Sequence, residues 1–586
     1  MSEFRSPIPL PHIPDNLTIS QFFLQPSTST HSRPIRPSNV PFFINDRTGH
    51  GVTYEDAHRR TFGLANALSI KYNIGLRHCL PLESLQYLSH LSQVPRMLTT
   101  RSPSGLFIRL EGSSRKPANP SYTVDELKHQ LTLTKAKLIA VHPDCLDVAK
   151  AAAAACGLSE KSFLLLDASP SGPHSDTETI DQLIAFGESK GENYSAIRLA
   201  PGEARRTVAF LSFSSGTTGK PKAVAIPHFS VIANVVQMAA HYRLNDPQTP
   251  AKCISPGDVV LGVLPFFHIY GLVVIMHYTL YAGASIVVMP KFNFTQFLDS
   301  ISRHKISHLY VVPPQVVLLC KHPASQGRDF SHVKFCLSGA APMNGDLMMQ
   351  VSKLFTNAAI GQGYGLTETS TTICSLQHDR KLGTIGSAGA LIPGIIAKVV
   401  KPDGTLASEG EQGELIVKGP AMAMGYYDNP AATAETFVDG WVRTGDEVII
   451  RNLEVFVVDR LKEIMKVRGF QVAPAELEGH LLLHPDVADV CVVGIADEYS
   501  GEIPLAFIVP TANALERMNG DREKTEELKR KLEKHVSDHK IQYKWLAGGV
   551  EFIDAIPKNP SGKILRRVLR EHAKTMKKPK ALRSRL

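Results

Sequence analysis

Ser214 to Lys222 reads Ser-Ser-Gly-Thr-Thr-Gly-Lys-Pro-Lys and follows a strand-like run that ends at Phe213. Glycines let a backbone approach a bulky anion, and exposed N–H groups, hydroxyls and ammonium groups then donate to its oxygens. That is the chemistry of a triphosphate cradle, with Ser214, Ser215, Gly216, Thr217, Thr218, Gly219 and Lys222 as its parts. The spacing Gly-x4-Gly-Lys-Ser/Thr is absent, so the P-loop mechanism does not carry over.

Four more segments hold reactive side chains. Gly361-Gln-Gly-Tyr-Gly-Leu-Thr-Glu368 sets glycines beside Tyr364, which can stack on a flat ring, and Glu368, a hard oxygen donor suited to Mg²⁺. Trp441-Val-Arg-Thr-Gly-Asp446 offers a carboxylate that can accept from ribose hydroxyls. Asp459-Arg-Leu-Lys-Glu-Ile-Met-Lys-Val-Arg-Gly469 gathers cations. Pro557-Lys-Asn-Pro-Ser-Gly-Lys563 places a lysine just after a tight turn. Each segment alone has a plain reading: Asp446 capping a turn, Lys462 and Lys466 on a solvated helix face, Lys563 on a basic surface.

The elements that must position these groups fall into two textures. From Thr207 to Gly365, short β-rich runs (207–213, 258–264, 284–289, 307–312, 333–338 and 358–361) alternate with helical-period segments (229–242, 293–304 and 344–355). Such alternation predicts a parallel sheet covered by helices, with ligands at the carboxyl ends of the strands. Beyond about residue 395 the pattern turns to strands and turns, with a hairpin around Arg451-Asn452-Leu453. A compact α+β segment follows: helix 474–483, strands 487–495 and 503–509, and helix 521–539. A boundary is expected near Asp459–Lys462.

Bulk properties exclude several classes. A chain of 586 residues exceeds one core, and 43% hydrophobic with 20% charged residues is ordinary globular composition. The net charge of +9 favours anionic partners. No basic patch interleaves with stacking aromatics, which argues against nucleic acid. Eight scattered cysteines include no Cys-x-x-Cys, so free thiols in a reducing compartment are expected. Met1 to Pro14 has no apolar core of a secretory signal. Val259 to Pro290 lacks Asp, Glu, Lys and Arg, yet Pro265, His268, Gly271, His277 and Gly283 break it up. A buried strand, loop, helix and strand is expected there, with no membrane span.

Taken in order, the five segments resemble the adenylate-forming superfamily of acyl-CoA synthetases, adenylation domains and luciferases. Pro265-Phe-Phe-His-Ile-Tyr-Gly271, Met289-Pro-Lys-Phe292 and Gly469-Phe-Gln-Val-Ala-Pro-Ala-Glu-Leu-Glu478 resemble the 4-coumarate–CoA ligase-like branch. The likeness covers most of 40–75 and all of 118–572. It implies an α/β fold. The large N-terminal domain (41–460) would hold stacked αβ subdomains plus a β-barrel-like one, after a lead segment (1–40). A small mobile α+β domain (461–573) and a basic tail (574–586) would follow.

The resemblance also implies a reaction using ATP, Mg²⁺ and coenzyme A. A carboxylate attacks the α-phosphate to give acyl-AMP and pyrophosphate, and the thiol of coenzyme A then attacks the anhydride. Lys563 would meet the growing negative charge, and Ser214–Thr218 and Lys222 would hold the outer phosphates. Asp446 and Arg460 would take the ribose. Gly339, Ala340, Gln362, Gly363, Tyr364 and Thr367 would line the adenylate site, with Lys466 also on the nucleotide and Glu368 on the metal. His268, Ile269 and Tyr270 would separate the acyl pocket, itself bounded by Gly339, Ala340 and Gly363, from the phosphates. His268, Thr367 and Glu368 would join Lys563 in catalysis. Lys462 matches the hinge on which the small domain turns, exchanging Lys563 for the face of Arg468 and Gly469. Lys291 matches a coenzyme A phosphate contact.

Three departures stand out. Ala223 replaces a usual glycine, and Arg468 a usual lysine, trading a point charge for a planar fork. From Arg77 to Lys116 the family's apolar strands and helix give way to polar sequence, while the pattern resumes at Pro117 with correct spacing. A shifted frame or misjudged splice site is the expectation there. The chain closes on Ser584-Arg585-Leu586, a variant of the peroxisomal Ser-Lys-Leu address, which predicts an import receptor as partner and peroxisomal localisation. Two alternatives stay open: an adenylating enzyme that loads a carrier-protein thiol, and an inactive nucleotide-binding homologue.

Overall fold

The computed structural model describes residues 3–25, 33–72, 106–110, 115–120, 122–166, 177–191, 197–214, 221–246, 248–249, 253–468, 470–497, 499–559 and 562–576, with backbone alone at 106–110 and 115–117. Their strands form three sheets.

The first sheet begins with the parallel order expected from the sequence. Ala359–Leu366, Phe335–Ser338, His308–Val311, Val259–Gly262, Ser285–Val288 and Phe43–Asn45 lie side by side. Their central members are buried throughout, because helices cover both faces. Helix Phe294–Arg303 shows how such a helix is specified. Asn293 accepts the Gln296 N–H at its start, and Phe297, Leu298 and Ile301 recur on one buried face. Phe297→Ala there costs roughly 3–5 kcal/mol.

The charge-free stretch forms the strand Val259–Gly262, a helix over Tyr270–Tyr281 and the strand Ser285–Val288, all within the core. No helix among the described residues is long and apolar enough to cross a membrane.

Ala359–Leu366 is the junction of the first sheet. Its first half pairs parallel with Phe335–Ser338, and its second half pairs antiparallel with Thr371–Ser375. From there the sheet runs on through Ala390–Leu391, Glu454–Arg460, Trp441–Arg451, Gln412–Lys418 and Ile396–Val400. This path is open; the β-rich region expected to be barrel-like does not close. The hairpin Trp441–Arg451 to Glu454–Arg460 turns at Asn452 and Leu453, both with positive φ.

The second sheet corrects one expectation. Val208–Ser214 does not continue the parallel series. It pairs antiparallel with Lys222–Pro227, in a sheet separate from the parallel series. The run Ala223-Val-Ala-Ile226 is almost fully buried, and its apolar character is what makes it the return strand. The same sheet contains Leu106–Leu110 between Arg115–Ala118 and Ala136–Val141. One strand and the start of a second therefore lie within the atypical segment 77–116; its residues 77–105 and 111–114 lie outside the described ones. Helix His228–His241 ties the second sheet to the first. Its buried Asn234, Gln237 and His241 reach the carbonyls of Thr372, Pro393 and Leu376 at 2.9, 2.6 and 2.8 Å.

The third sheet (Phe470–Val472, Met465–Val467, Gly501–Pro510, Val487–Asp497 and Gly549–Phe552) has a core of its own. Helices Pro474–Leu481 and Arg522–Ser537 cover one face through Leu477, Leu481, Leu528 and Leu532. Helix Arg566–Thr575 covers the other beside Cys491, Val493 and Phe507. Residues 461–464 connect this sheet to the large one. The two bodies also meet where Lys321 Nζ donates to the carbonyls of Leu482 and Val487 at 2.7 and 3.2 Å. Asn344 Nδ2 donates to the Gly479 carbonyl at 2.9 Å.

Candidate functional site

The loops at the strand ends enclose two adjoining cavities, of about 350 and 510 Å³. Lys563 lines both.

Ser214 and Lys222 face each other across the antiparallel register, and both line the smaller cavity. The segment between them carries the other predicted cradle residues. Its members Ser215, Gly216, Thr217, Thr218 and Gly219 lie outside the described residues. Lys222 Nζ stands 4.8 Å above the ring of Tyr426, and Tyr426 Oη donates to Glu368 Oε1 at 2.8 Å. The second oxygen of Glu368 remains for a hard cation, and the donor type fits Mg²⁺. Thr367, His268 and Ile269 line the same wall.

Asp446 and Arg460 are direct partners across the antiparallel pair, so strand register brings them together. Arg460 Nε lies 3.4 Å from Asp446 Oδ1, and Tyr364 Oη donates to Asp446 Oδ2 at 2.6 Å. Burial pushes the Asp446 pKa up, which Arg460 and the Tyr364 hydroxyl oppose. This carboxylate is 3% exposed and held rigidly at the boundary of the larger cavity.

Gln362 also borders the larger cavity, but its amide is spent on the backbone. Oε1 accepts the Met343 N–H at 2.7 Å and Nε2 donates to the Ser387 carbonyl at 3.1 Å. Its role is to hold the segment after strand Phe335–Ser338. There Ala340 takes a φ of 68°, a conformation that few residues other than glycine adopt. Gly339 precedes it, and a Cβ at Gly339 would stand 3.1 Å from the Tyr270 ring. Tyr270 Oη donates to the Leu337 carbonyl at 3.3 Å. Gly339 thus packs against Tyr270, while Ala340 and Gly363 border the larger cavity.

His268 Nδ1 accepts the Tyr270 N–H at 3.3 Å, so its proton resides on Nε2. Burial and the nearby Lys563 ammonium pull its pKa down to about 4. His268 is therefore a neutral hydrogen-bond donor at physiological pH.

Lys563 comes from the small domain. Its hairpin pairs Lys558 with Ile564, and Asn559 Oδ1 accepts the Lys563 N–H at 2.8 Å. Gly562 has a φ of 81°, and an added Cβ would stand 3.0 Å from Val312 of the large domain. Only glycine satisfies both constraints. Burial and Arg460 lower the Lys563 pKa to about 8, against the pull of Glu463, Asp446 and Glu368.

The remaining cations lie elsewhere. Lys462 borders the smaller cavity within the connector. Lys291, Lys466 and Arg468 are exposed and line neither cavity. The Arg468 guanidinium lies 5.2 Å above the Tyr499 ring, and Lys466 donates its N–H to Glu502. Gly469 and the terminal Ser584, Arg585 and Leu586 lie outside the described residues. The sequence reading missed Tyr426, and it missed the Arg443–Glu414 pair, Glu435 and Asn559 around the smaller cavity. The motif Gly425-Tyr-Tyr-Asp-Asn-Pro430 was the available signal for Tyr426.

The family described as AMP-binding enzyme matches residues 114–427, and the AMP-binding enzyme C-terminal domain matches residues 476–563. The chain is 34% identical over 577 residues to 4-coumarate–CoA ligase 1 of Arabidopsis thaliana, covering 97% of this chain and 94% of that protein. It is 33% identical to 4-coumarate–CoA ligase CCL1 of Humulus lupulus, covering 97% and 96%. In fold it is similar to the anthranilate CoA ligase AuaEII in complex with anthranoyl-AMP, with a TM-score of 0.77 at 21% identity, covering 96% and 98%. It is likewise similar to ATP-bound MatB from Rhodopseudomonas palustris, with a TM-score of 0.72 at 24% identity, covering 95% and 99%.

Proposed function

The chain belongs to the AMP-binding enzyme family as an AMP-forming acid–thiol ligase, and from that premise we propose that it joins an aromatic propenoic or fatty acid to coenzyme A. One observation carries the reading. Lys563 of the small domain lines the same cavity as Ser214, Lys222 and Glu368, with Arg460 beside them.

In the first half-reaction the acid's carboxylate oxygen forms a bond to the α-phosphorus, and the bond to the departing pyrophosphate breaks. Such chemistry asks a protein for position and charge stabilisation. Lys563 supplies a cation between the two cavities, where charge grows on the α-phosphate. Ser214 and Lys222 hold the outer phosphates. Asp446, already oriented by Tyr364 and Arg460, accepts from the ribose. His268 Nε2–H donates toward the acid. Glu368 would hold Mg²⁺, which when bound would supply positive charge toward the phosphates. In the second half-reaction the small domain turns about Lys462 and presents Arg468, with Lys291 meeting phosphate of coenzyme A. The thiol sulfur then bonds to the acyl carbon and AMP leaves.

The names of the relatives favour an aromatic propenoic acid, and the Tyr270 ring against Gly339 supports a flat substrate. Ser584-Arg585-Leu586 supports delivery to peroxisomes, where the product would enter β-oxidation or side-chain tailoring. A fluorescent protein fused to the N-terminus should enter peroxisomes, and deletion of the tripeptide should leave it in the cytosol.

A panel of cinnamic-type, benzoic and straight-chain acids, read by acid-dependent pyrophosphate release, tests the function. Release with a cinnamic-type or fatty acid, followed by acyl-CoA formation, supports it. Nucleotide binding without release across the panel would refute it. Transfer to a phosphopantetheinyl protein but not to coenzyme A would move the acceptor to a carrier.

A further inference from the structure

A group of imidazoles that lines neither adenylate cavity belongs to neither half-reaction. His480 lies on helix Pro474–Leu481, His535 on helix Arg522–Ser537, and His539 one turn beyond His535. The two helices are pinned by Leu477, Leu481, Leu532 and Val536, all of them fully buried. Packing of the small-domain core therefore fixes where these three side chains meet.

One ring nitrogen from each of the three lies within 4.8 Å of those of the other two. The rings of His480 and His535 stack at 4.3 Å, and His539 sits 5.2 and 5.5 Å from them. Their hydrogen bonds decide the tautomers. His480 Nε2 donates to the His535 carbonyl at 3.0 Å, and His535 Nε2 donates to the His480 carbonyl at 3.3 Å. His539 Nδ1 donates to the His535 carbonyl at 3.0 Å. A carbonyl accepts only, so each of these nitrogens carries the proton and each ring keeps its other nitrogen as a lone-pair donor. A metal-binding histidine has this arrangement, one nitrogen on the metal and the other N–H anchored to a carbonyl or carboxylate.

We propose that His480, His535 and His539 form a binding site for a borderline-soft divalent transition metal, with Zn²⁺, Ni²⁺ and Co²⁺ as the matching class. Three imidazoles and a water complete a tetrahedral set. Metal–nitrogen bonds of about 2.0–2.1 Å bring donors to roughly 3.4 Å apart, so binding requires His480 and His535 to leave their parallel stack and turn their in-plane lone pairs onto one point. Lys540 is the nearest opposing cation, and Glu476 pairs with it at 3.0 Å. His484 stands edge-on to His535, but its Nδ1 accepts the Asp486 N–H, which removes it from the donor set in this tautomer. The bound metal would clasp helix Pro474–Leu481, whose Gly479 carbonyl meets Asn344 of the large domain, to helix Arg522–Ser537.

The test uses the full chain, stripped with a chelator and titrated with Co²⁺, Ni²⁺ and Zn²⁺. Saturable binding of one equivalent is expected, with the visible absorption of Co²⁺ in a nitrogen-rich site and a Zn²⁺-dependent rise in melting temperature. His539 is exposed, so His539→Ala keeps the fold, and it should weaken Zn²⁺ by at least about tenfold, the scale set by loss of an outer-shell partner alone. His480→Gln should do the same, whereas His322→Ala, remote from the cluster, should leave binding unchanged. No saturable binding, or binding that survives both His539→Ala and His480→Gln, would overturn the proposal.

Discussion

Lys563 and Arg468 sit on the same small domain and carry the same charge, yet the protein treats them oppositely. Lys563 is drawn between two cavities of the large domain, where burial and Arg460 lower its pKa to about 8. Arg468 stands in solvent with its guanidinium over Tyr499. A cation that has lost its water is strengthened toward any negative charge that develops beside it. An exposed one is screened and contributes little until a ligand or a rotation covers it. In this pose Lys563 is thus the cation placed for the proposed acyl-AMP formation, while Arg468 lines neither cavity.

The strongest way to break this contrast is Lys563→Ala. Acid-dependent pyrophosphate release should fall by about 10²–10³-fold, the loss seen when one charge-stabilising donor is removed. Thioester formation from synthetic acyl-AMP and coenzyme A should stay within a few-fold of wild type. An equal loss in both half-reactions would dissolve the contrast.

Asp446→Ala comes next. It removes an acceptor that Tyr364 and Arg460 already orient, and it leaves Arg460 without its carboxylate. Hydrogen bonds to charged groups contribute about 1.5–3 kcal/mol, so KM for ATP should rise roughly 10–100-fold. The KM for the acid should barely move, because Asp446 borders the nucleotide side.

Arg468→Ala should show the reverse pattern at smaller scale. Pyrophosphate release in the absence of coenzyme A should be unchanged, while thioester formation falls about tenfold, the equivalent of one charge-assisted contact. Arg468→Lys should restore much of it if charge alone matters. It should restore little if the planar fork grips a phosphate bidentately.

Much of this contrast was readable in the chain, for a physical reason. Each parallel strand is a short apolar run bounded by turn residues, and helix Phe294–Arg303 carries its cap and apolar face locally. The constellation Asp446, Arg460, Tyr364 and Glu368 was legible because its members sit in segments with unusual glycine and charge content. Strand pairing was not. The partner of Val208–Ser214 is chosen by burial of Ala223–Ile226 against the sheet, a tertiary effect that periodicity over four residues does not encode. Gln362 shows the same limit at a single side chain. Its place in the motif was visible, but its amide serves Met343 and Ser387, partners set by folding. Tyr426 was missed because its motif, Gly425-Tyr-Tyr-Asp-Asn-Pro430, does not say what the ring meets; Lys222 and Glu368 reach it only through folding.

The pH response sharpens the comparison further. In the free enzyme Lys563 must be charged to meet the α-phosphate, and its pKa is lowered to about 8. It is protonated below that value and neutral above it. The kcat/KM for adenylation should therefore be flat below pH 7 and fall about tenfold per unit well above pH 8, since kcat/KM reports the free enzyme. Lys563→Arg, which stays charged throughout, should react more slowly because its fork does not match an ammonium, but it should lose the alkaline fall. His268 should add no acid limb until about pH 4, where it begins to accept a proton. Under the proposed exchange of Lys563 for Arg468, thioester formation from acyl-AMP dispenses with the Lys563 ammonium, so its alkaline profile should match between wild type and Lys563→Arg. If Lys563→Arg kept the fall near pH 8 in adenylation, the titrating group would lie elsewhere, and the special standing of the buried lysine over the exposed arginine would lose its electrostatic basis.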